Sequence, residues 1–224
     1  VALSPRFSTE GLSILFGDGA GNFTPVAYPF QGLVLDAGAI AGEPRQALIT
    51  LRDLEIGVVR IAPDRTAGLE PVYALGSAVW RIAVGDLDRD GDSDLVIDEL
   101  GAPLRTVLQA GTPWSAGLPV LGQTGASVED ITLGDVNSDG WLDIVAWEAT
   151  GFSLYKYLPG GGFVFSEWSE VPAFLKAAAL RDIDGDDRPD LILVAGSGDS
   201  AEVYTKRNVG THFESSASAT ATRP

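Results

Sequence analysis

Apolar residues recur in short runs, and Gly, Pro, Asp or Asn cuts each run after a few positions. Ile82-Ala83-Val84, Leu95-Val96-Ile97, Ile131-Thr132-Leu133, Ile144-Val145-Ala146 and Leu191-Ile192-Leu193-Val194 are examples. No apolar period of helical spacing is sustained. Runs of this length bounded by turn residues predict β-strands, so the chain reads as all-β. Gly11 to Phe16 and Phe23 to Val26 predict a hairpin closed by Gly17-Asp18-Gly19-Ala20-Gly21-Asn22, whose residues accept positive φ. Pro25 suits an outer edge.

The runs repeat. Asp86 lies 49 residues before Asp135, which lies 47 before Asp182, and Asp36 holds the same place 50 residues before Asp86. A period near 48 with four short strands per unit predicts a β-propeller with four-stranded blades. The expected units are 1–30 (partial), 31–77, 78–126, 127–174 and 175–213, followed by a flexible Ser/Ala/Thr-rich tail at 214–224. The remaining strands of the second unit are expected at 47–50, 57–61 and 69–73. Those of the third lie at 104–108 and 118–121, of the fourth at 152–157 and 163–165, and of the fifth at 202–206, 208–210 and 212–213. In the first strands, Val34, Val84, Leu133 and Leu180 stand two before the loop Asp, and Gly32, Ile82, Ile131 and Ala178 stand four before it. Positions two apart share one face, here turned to a neighbouring blade. Mostly small residues (Leu33, Ala83, Thr132, Ala179) lie between them, as suits an innermost strand near the axis.

Between the first and second strands of three units lie Asp86-Leu87-Asp88-Arg89-Asp90-Gly91-Asp92-Ser93-Asp94, Asp135-Val136-Asn137-Ser138-Asp139-Gly140-Trp141-Leu142-Asp143 and Asp182-Ile183-Asp184-Gly185-Asp186-Asp187-Arg188-Pro189-Asp190. Carboxylate or carboxamide oxygens fall at loop positions 1, 3, 5 and 9. That many like charges repel unless a cation offsets them, and hard oxygen donors converging on one point match Ca²⁺. An EF-hand is excluded, because its bidentate Glu at position 12 is replaced by Ile97, Ala146 and Leu193 and strands replace its helices. The candidate ligands are Asp86, Asp88, Asp90 and Asp94; Asp135, Asn137, Asp139 and Asp143; and Asp182, Asp184, Asp186 and Asp190. Position 7 (Asp92, Trp141, Arg188) completes each set; at Trp141 the backbone carbonyl is the expected ligand. Gly91 and Gly140 at position 6 allow positive φ, and Asp187 tolerates that region better than most residues. A lone acidic turn can bind nothing; three in register disfavour that reading. About three Ca²⁺ per chain are expected, in independent sites, with none at the Asp36 loop, whose other ligands are lost.

Composition narrows the function. The net charge is −16, much of it in the loops, and three Ca²⁺ would leave about −10. Such a chain lacks the basic footprint nucleic acid requires. With no cysteine there is neither a disulfide framework nor a thiolate metal site. No apolar run is long enough for a membrane span. No Gly-x-Ser-x-Gly, zinc signature or phosphate loop occurs, and the single His212 reads as a strand or turn residue. A glycosidase pair of carboxylates is the enzymatic alternative. The spare carboxylates lie inside the calcium pattern, so the chain is expected not to be an enzyme. Trp141 is expected to pack on the neighbouring blade, with sugar stacking as the alternative. Trp80, Trp114, Trp147 and Trp168 read as packing between blades.

The loop pattern Gly-Asp-x-[Asp/Asn]-x-Asp-Gly-x-x-Asp before an apolar strand, the hairpin Phe16-Gly17-Asp18-Gly19-Ala20-Gly21-Asn22-Phe23 and the string Gly101-Ala102-Pro103 resemble the FG-GAP/VCBS repeat family, found also in integrin α-subunit heads. The resemblance covers residues 1–213. Asp187 for Gly, and Arg181 for the Gly before the loop, depart from it. It implies a calcium-bearing propeller in an extracellular, cell-surface or periplasmic setting, and a non-catalytic role in adhesion, protein recognition or scaffolding. Four full units and one lacking its inner strand predict a piece or subunit of a larger assembly. Carbohydrate binding, or an accessory role beside a polysaccharide-degrading enzyme, is the alternative.

Overall fold

The structure, a computed structural model, describes residues 12–30, 32–38, 47–109, 114–122, 128–171, 175–196, 201–210, 212–215 and 219–221. Among these every regular element is a strand. In chain order they are β1 (Leu12–Gly17), β2 (Phe23–Tyr28), β3 (Leu33–Gly38), β4 (Ala47–Arg52), β5 (Glu55–Ile61), β6 (Ala67–Ala74), β7 (Val79–Gly85), β8 (Asp94–Glu99), β9 (Arg105–Leu108), β10 (Ser115–Ala116), β11 (Val120–Leu121), β12 (Val128–Gly134), β13 (Asp143–Glu148), β14 (Gly151–Leu158), β15 (Gly162–Glu170), β16 (Leu175–Arg181), β17 (Asp190–Ala195), β18 (Ala201–Asn208), β19 (Phe213–Ser215) and β20 (Ala219–Ala221). The expected loop at 37–44 lies outside the described residues beyond Gly38.

Five sheets follow one another. The first is the β1–β2 hairpin; the second runs β3-β4-β5-β6, the third β7-β8-β9-β10, the fourth β12-β13-β14-β15 and the fifth β16-β17-β18-β19. Neighbours within these paths pair antiparallel. Two strands depart from expectation. The segment 118–121 does not complete the third sheet. Its β11 adds to the fourth, parallel to β15, and β10 takes the vacated edge. Gly162 permits this: it carries φ +92°, and a Cβ there would stand 2.4 Å from the Pro119 carbonyl oxygen, which accepts the Phe163 N–H. The expected flexible tail also differs, for β20 pairs with the first half of β18 while β19 pairs with its last residues.

The core is three sandwiches between successive sheets. Ile49, Ile56, Val58 and Val72 of the second sheet meet Leu95, Ile97, Val107 and Trp114 of the third region. Val96 and Leu104 meet Ile131, Ile144, Tyr155 and Phe163 of the fourth. Val145, Trp147, Phe152 and Leu154 meet Leu180, Leu191 and Leu193 of the fifth. Burying a Leu, Ile or Phe contributes about 1.5–3 kcal/mol, so each interface is a substantial source of stability. Trp147 is fully buried, and its Nε1–H is satisfied by Thr132 Oγ1 at 3.0 Å.

The first strands lie side by side, β3 against β7, β7 against β12 and β12 against β16. Ile82 and Val84 pack toward the second sheet and Ala83 toward the fourth. The small residues between the larger ones therefore face the next sheet. Gly85 and Gly134 are its tightest points. A Cβ on Gly85 would stand 2.8 Å from Leu142 Cδ1 and 2.9 Å from Leu133 Cδ1, and one on Gly134 would stand 2.7 Å from Leu180 Cδ1. Arg181 holds this place on β16 and is exposed. Each first strand also carries a bulge, at Leu35, Trp80, Glu129 and Lys176. The bulge at Trp80 turns that side chain out of the ladder, 56% exposed rather than packed between sheets.

Gly134→Val forces a branched side chain against Leu180 and should cost about 1–3 kcal/mol. Arg181→Val at the matching exposed place should stay within about 0.5 kcal/mol. Urea unfolding midpoints of the two variants compare them directly.

Candidate functional site

Each loop leaves the end of a first strand and returns as the second strand of the same sheet: β7 to β8, β12 to β13, β16 to β17. All three share three hydrogen bonds. The position-6 N–H donates to the position-1 carboxylate: Gly91 to Asp86 (3.1 Å), Gly140 to Asp135 (2.8 Å), Asp187 to Asp182 (3.0 Å). The position-7 N–H donates to position 5: Asp92 to Asp90 (2.9 Å), Trp141 to Asp139 (2.8 Å), Arg188 to Asp186 (3.0 Å). The position-2 N–H donates to position 9: Leu87 to Asp94 (2.8 Å), Val136 to Asp143 (3.1 Å), Ile183 to Asp190 (3.1 Å).

Positive φ falls at positions 4 and 6 in every loop, with values of 63° and 94° at Arg89 and Gly91, 59° and 87° at Ser138 and Gly140, and 83° and 65° at Gly185 and Asp187. In the third loop the glycine sits at the other of the two left-handed places, and Asp187 adopts the conformation that its side chain tolerates.

The position-9 aspartates are fully buried. The other oxygen of each accepts a backbone N–H from the far end of the third strand: Gln109 to Asp94 (2.9 Å), Tyr157 to Asp143 (2.8 Å), Asn208 to Asp190 (2.7 Å). One carboxylate thus ties three stretches of a sheet. These donors left no trace in the sequence, because a backbone N–H has no residue signature and the spacing to Asp varies. Burial drives Asp94 and Asp143 up to about 6, with two backbone N–H groups only partly opposing it and neighbouring loop carboxylates adding to it. Asp88 is raised for the same first reason, burial, with Asp90 beside it.

The residues fit a hard cation. Carboxylate oxygens of Asp86, Asp88 and Asp94 all lie within 4.8 Å of one another, as do those of Asp182, Asp184 and Asp190. Oxygens around one Ca²⁺, each at about 2.3–2.6 Å from it, have such separations. Asp86 Oδ1 is buried without a hydrogen-bond partner. In the second loop Asn137 Oδ1 accepts the Asp139 N–H while its Nδ2 donates to Asp139 Oδ2 at 2.9 Å, so the amide is engaged within the loop, and among the described residues its carboxylates do not cluster as those of the other two loops do. The third loop carries its own cations: Arg188 Nη2 lies 2.6 Å from Asp186 and Arg207 Nε 2.5 Å from Asp184. The Asp92 carboxylate lies outside the first cluster.

The loops are also in contact. Arg89 of the first stands over the Trp141 ring of the second, 5.3 Å from its centroid, and Trp141 stacks on Tyr157 at 4.2 Å and 12°. Trp141 therefore packs mainly on its own sheet, through Tyr157, and meets the neighbouring sheet's loop through Arg89. Asn208 Nδ2 donates to the Val136 carbonyl at 2.6 Å and to that of Pro189 at 3.1 Å, joining the second and third loops. Trp114 is buried. Trp168, expected between sheets, is 45% exposed. His212 lies exposed, with Nε2 3.9 Å from Glu214.

Residues 135–193, which span the second and third loops, match the profile described as FG-GAP-like repeat. The chain carries an FG-GAP-like repeat. The match starts at Asp135 and ends at Leu193, so it takes in two of the acidic loops with the strands that follow them. No curated protein matches the sequence. Among solved structures, the chain is similar to an Agrocybe aegerita lectin that recognises non-reducing terminal N-acetylglucosamine, at TM-score 0.64 and 17% identity over 94% of this chain. It is also similar, at TM-score 0.48 and 13% identity over 88% of this chain, to the V. cholerae biofilm matrix protein Bap1. The chain spans 60% of the first protein and 29% of the second.

Asp143→Ala leaves the Val136 and Tyr157 N–H groups buried without acceptors and should cost about 2–4 kcal/mol. That loss should persist in excess chelator. Asp139→Ala, on the exposed side of the loop, should cost less than about 1 kcal/mol in chelator and more in calcium. Thermal melts of both variants in both buffers separate the two contributions.

Proposed function

We propose that the chain is a section of a calcium-bearing β-propeller that acts outside the cell as a non-catalytic recognition or scaffold module. The observation that carries this reading is the threefold recurrence of one loop with a buried carboxylate at position 9, beside which carboxylate oxygens cluster in the first and third loops. Ca²⁺ would be held by Asp86, Asp88, Asp90 and Asp94 in the first loop. The second would use Asp135, Asn137, Asp139, Asp143 and the Trp141 carbonyl, and the third Asp182, Asp184, Asp186 and Asp190. The metal stabilises the loop and the three strands tied to position 9. No reacting group is needed for that role, and the aspartates are structural in this reading. Weak sites of this class, with Kd about 10⁻⁴ to 10⁻³ M, fill only where calcium is abundant, which favours an extracellular or periplasmic setting.

Calorimetric titration should give about three Ca²⁺ per chain, with the third loop weakest, because Arg188 and Arg207 compete for its carboxylates. At calcium tenfold above Kd each site adds about 1.4 kcal/mol, so chelation should remove roughly 4 kcal/mol and lower Tm clearly. An unchanged Tm, or fewer than two ions bound, contradicts the reading.

The propeller section is also proposed to be completed by further sheets or by a partner. The outer face of β1–β2 is apolar and open: Leu15 is 63% and Phe23 65% exposed, and Pro25 lies beside Leu15. A protein surface rarely leaves such a face uncovered. The isolated 224-residue chain should self-associate in sedimentation velocity as concentration rises. A monomer at all concentrations overturns this part.

A further inference from the structure

Trp168 is the exposed tryptophan whose ring is held in place. It sits on β15, cross-strand from Ser153 of β14. Its Nε1–H donates to Glu148 Oε2 at 3.1 Å, and Glu148 is itself buried, accepting from Ser153 Oγ at 2.7 Å. The ring lies against Gly151, where a Cβ would stand 2.8 Å from Trp168 Cζ2 and 2.9 Å from Cε2. Only glycine leaves room for the indole there. The orientation is thus set by a buried acceptor on one side and a bare backbone on the other, and 45% of the residue still meets solvent.

The exposure has a cause in the fold. Trp168, Ser153 and Ala146 lie on the face of the fourth sheet that turns toward the third. The outer strands of the third sheet are short, β9 with four residues and β10 with two, whereas β15 has nine. Among the described residues, the outer part of the facing side is left without a cover.

We propose that Trp168 is a stacking platform for the pyranose ring of a neutral glycan whose hydroxyls are equatorial. Such a sugar offers a flat face of axial C–H groups, with its hydroxyls at the rim. An aromatic ring with an apolar body and fixed orientation matches that face at little cost in side-chain entropy. The surroundings match the rim: Glu170, two residues on and on the same face, is exposed and polar, and so is Ser166 at the bulge of β15. A protein hot spot would instead lie among apolar neighbours that exclude water. The net charge of −16, with Glu148 and Glu170 at the platform, turns away anionic glycans. The platform does not involve the acidic loops, so its failure and theirs are separable when binding is read at saturating calcium.

The test is a titration of the full chain with cellotriose and with chitotriose in calcium, followed by the indole N–H resonances. The Trp168 signal is identified by its loss in Trp168→Phe. It should shift with at least one of the two sugars, and Trp168→Ala should weaken binding about tenfold, measured well below the variant's own melting temperature, which loss of the donor to Glu148 lowers. Trp80→Ala, which removes an exposed tryptophan without a fixed ring, should leave affinity within about twofold. A Trp168 signal unmoved by both sugars overturns the proposal. So does binding that survives Trp168→Ala, or a shift produced by a proline-rich peptide and by neither sugar.

Discussion

A buried carboxylate with two backbone donors organises each of the last three sheets. Asp94, Asp143 and Asp190 begin their second strands, accept from the loop that enters them and accept again from the end of the third strand. Three separate stretches of chain converge on one side chain. A buried anion so placed is costly: moving Asp94 or Asp143 from 3.8 to about 6 corresponds to something on the order of 3 kcal/mol held against the charged form. Two neutral N–H groups reduce that cost without removing it. A divalent cation on the open side of the carboxylate would reverse its sign, and the other loop aspartates lie there to hold one. Sheet integrity and the proposed metal site would therefore depend on a single residue type at a single position.

The backbone of the loops is preserved more strictly than their residues. Positions 4 and 6 are left-handed in all three, yet glycine sits at position 6 twice and at position 4 once. What the loop needs is a pair of left-handed turns that aim positions 1, 3, 5 and 9 inward, and Arg89, Ser138 and Asp187 accept the strain where glycine is absent. The third loop goes further in using protein cations. Arg188 and Arg207 sit on two of its carboxylates, so part of the charge that calcium would neutralise is already neutralised.

Much of this was legible in the sequence because it rests on local pattern. Short apolar runs broken by turn residues located most strands of the four-stranded sheets, and the aspartate spacing located the loops. What failed to show depended on long-range pairing. Val120 and Leu121 read as an edge of the third sheet, and the close approach allowed by Gly162 joins them to the fourth. Ala219 to Ala221 have a composition typical of a tail, yet the free edge of β18 gives them a partner. The places of Trp80 and Trp168 in or beside strands predict packing between sheets. A bulge and a short neighbouring sheet, neither visible in local sequence, expose them. The donors Gln109, Tyr157 and Asn208 act through the backbone, which carries no code.

The packing between sheets has a direction. On β7 and β12 the residue before the loop aspartate is glycine, and a leucine of the following sheet fills the space its absent side chain leaves. The larger residues, Ile82 and Val84, face the preceding sheet. Small residues therefore look forward along the array and large ones look back, so that each interface pairs a bulky row with a slender one. The third and fourth sheets are held by this asymmetry to the sheets that follow them, and their inner strands approach closely. Arg181 reverses it on β16: a long charged side chain stands where the next leucine would enter. The forward face of the fifth sheet is thus chemically unlike those of the third and fourth. A surface packed there would have to accommodate a guanidinium, through acidic or carbonyl acceptors, in place of the leucine insertion that joins the third sheet to the fourth and the fourth to the fifth.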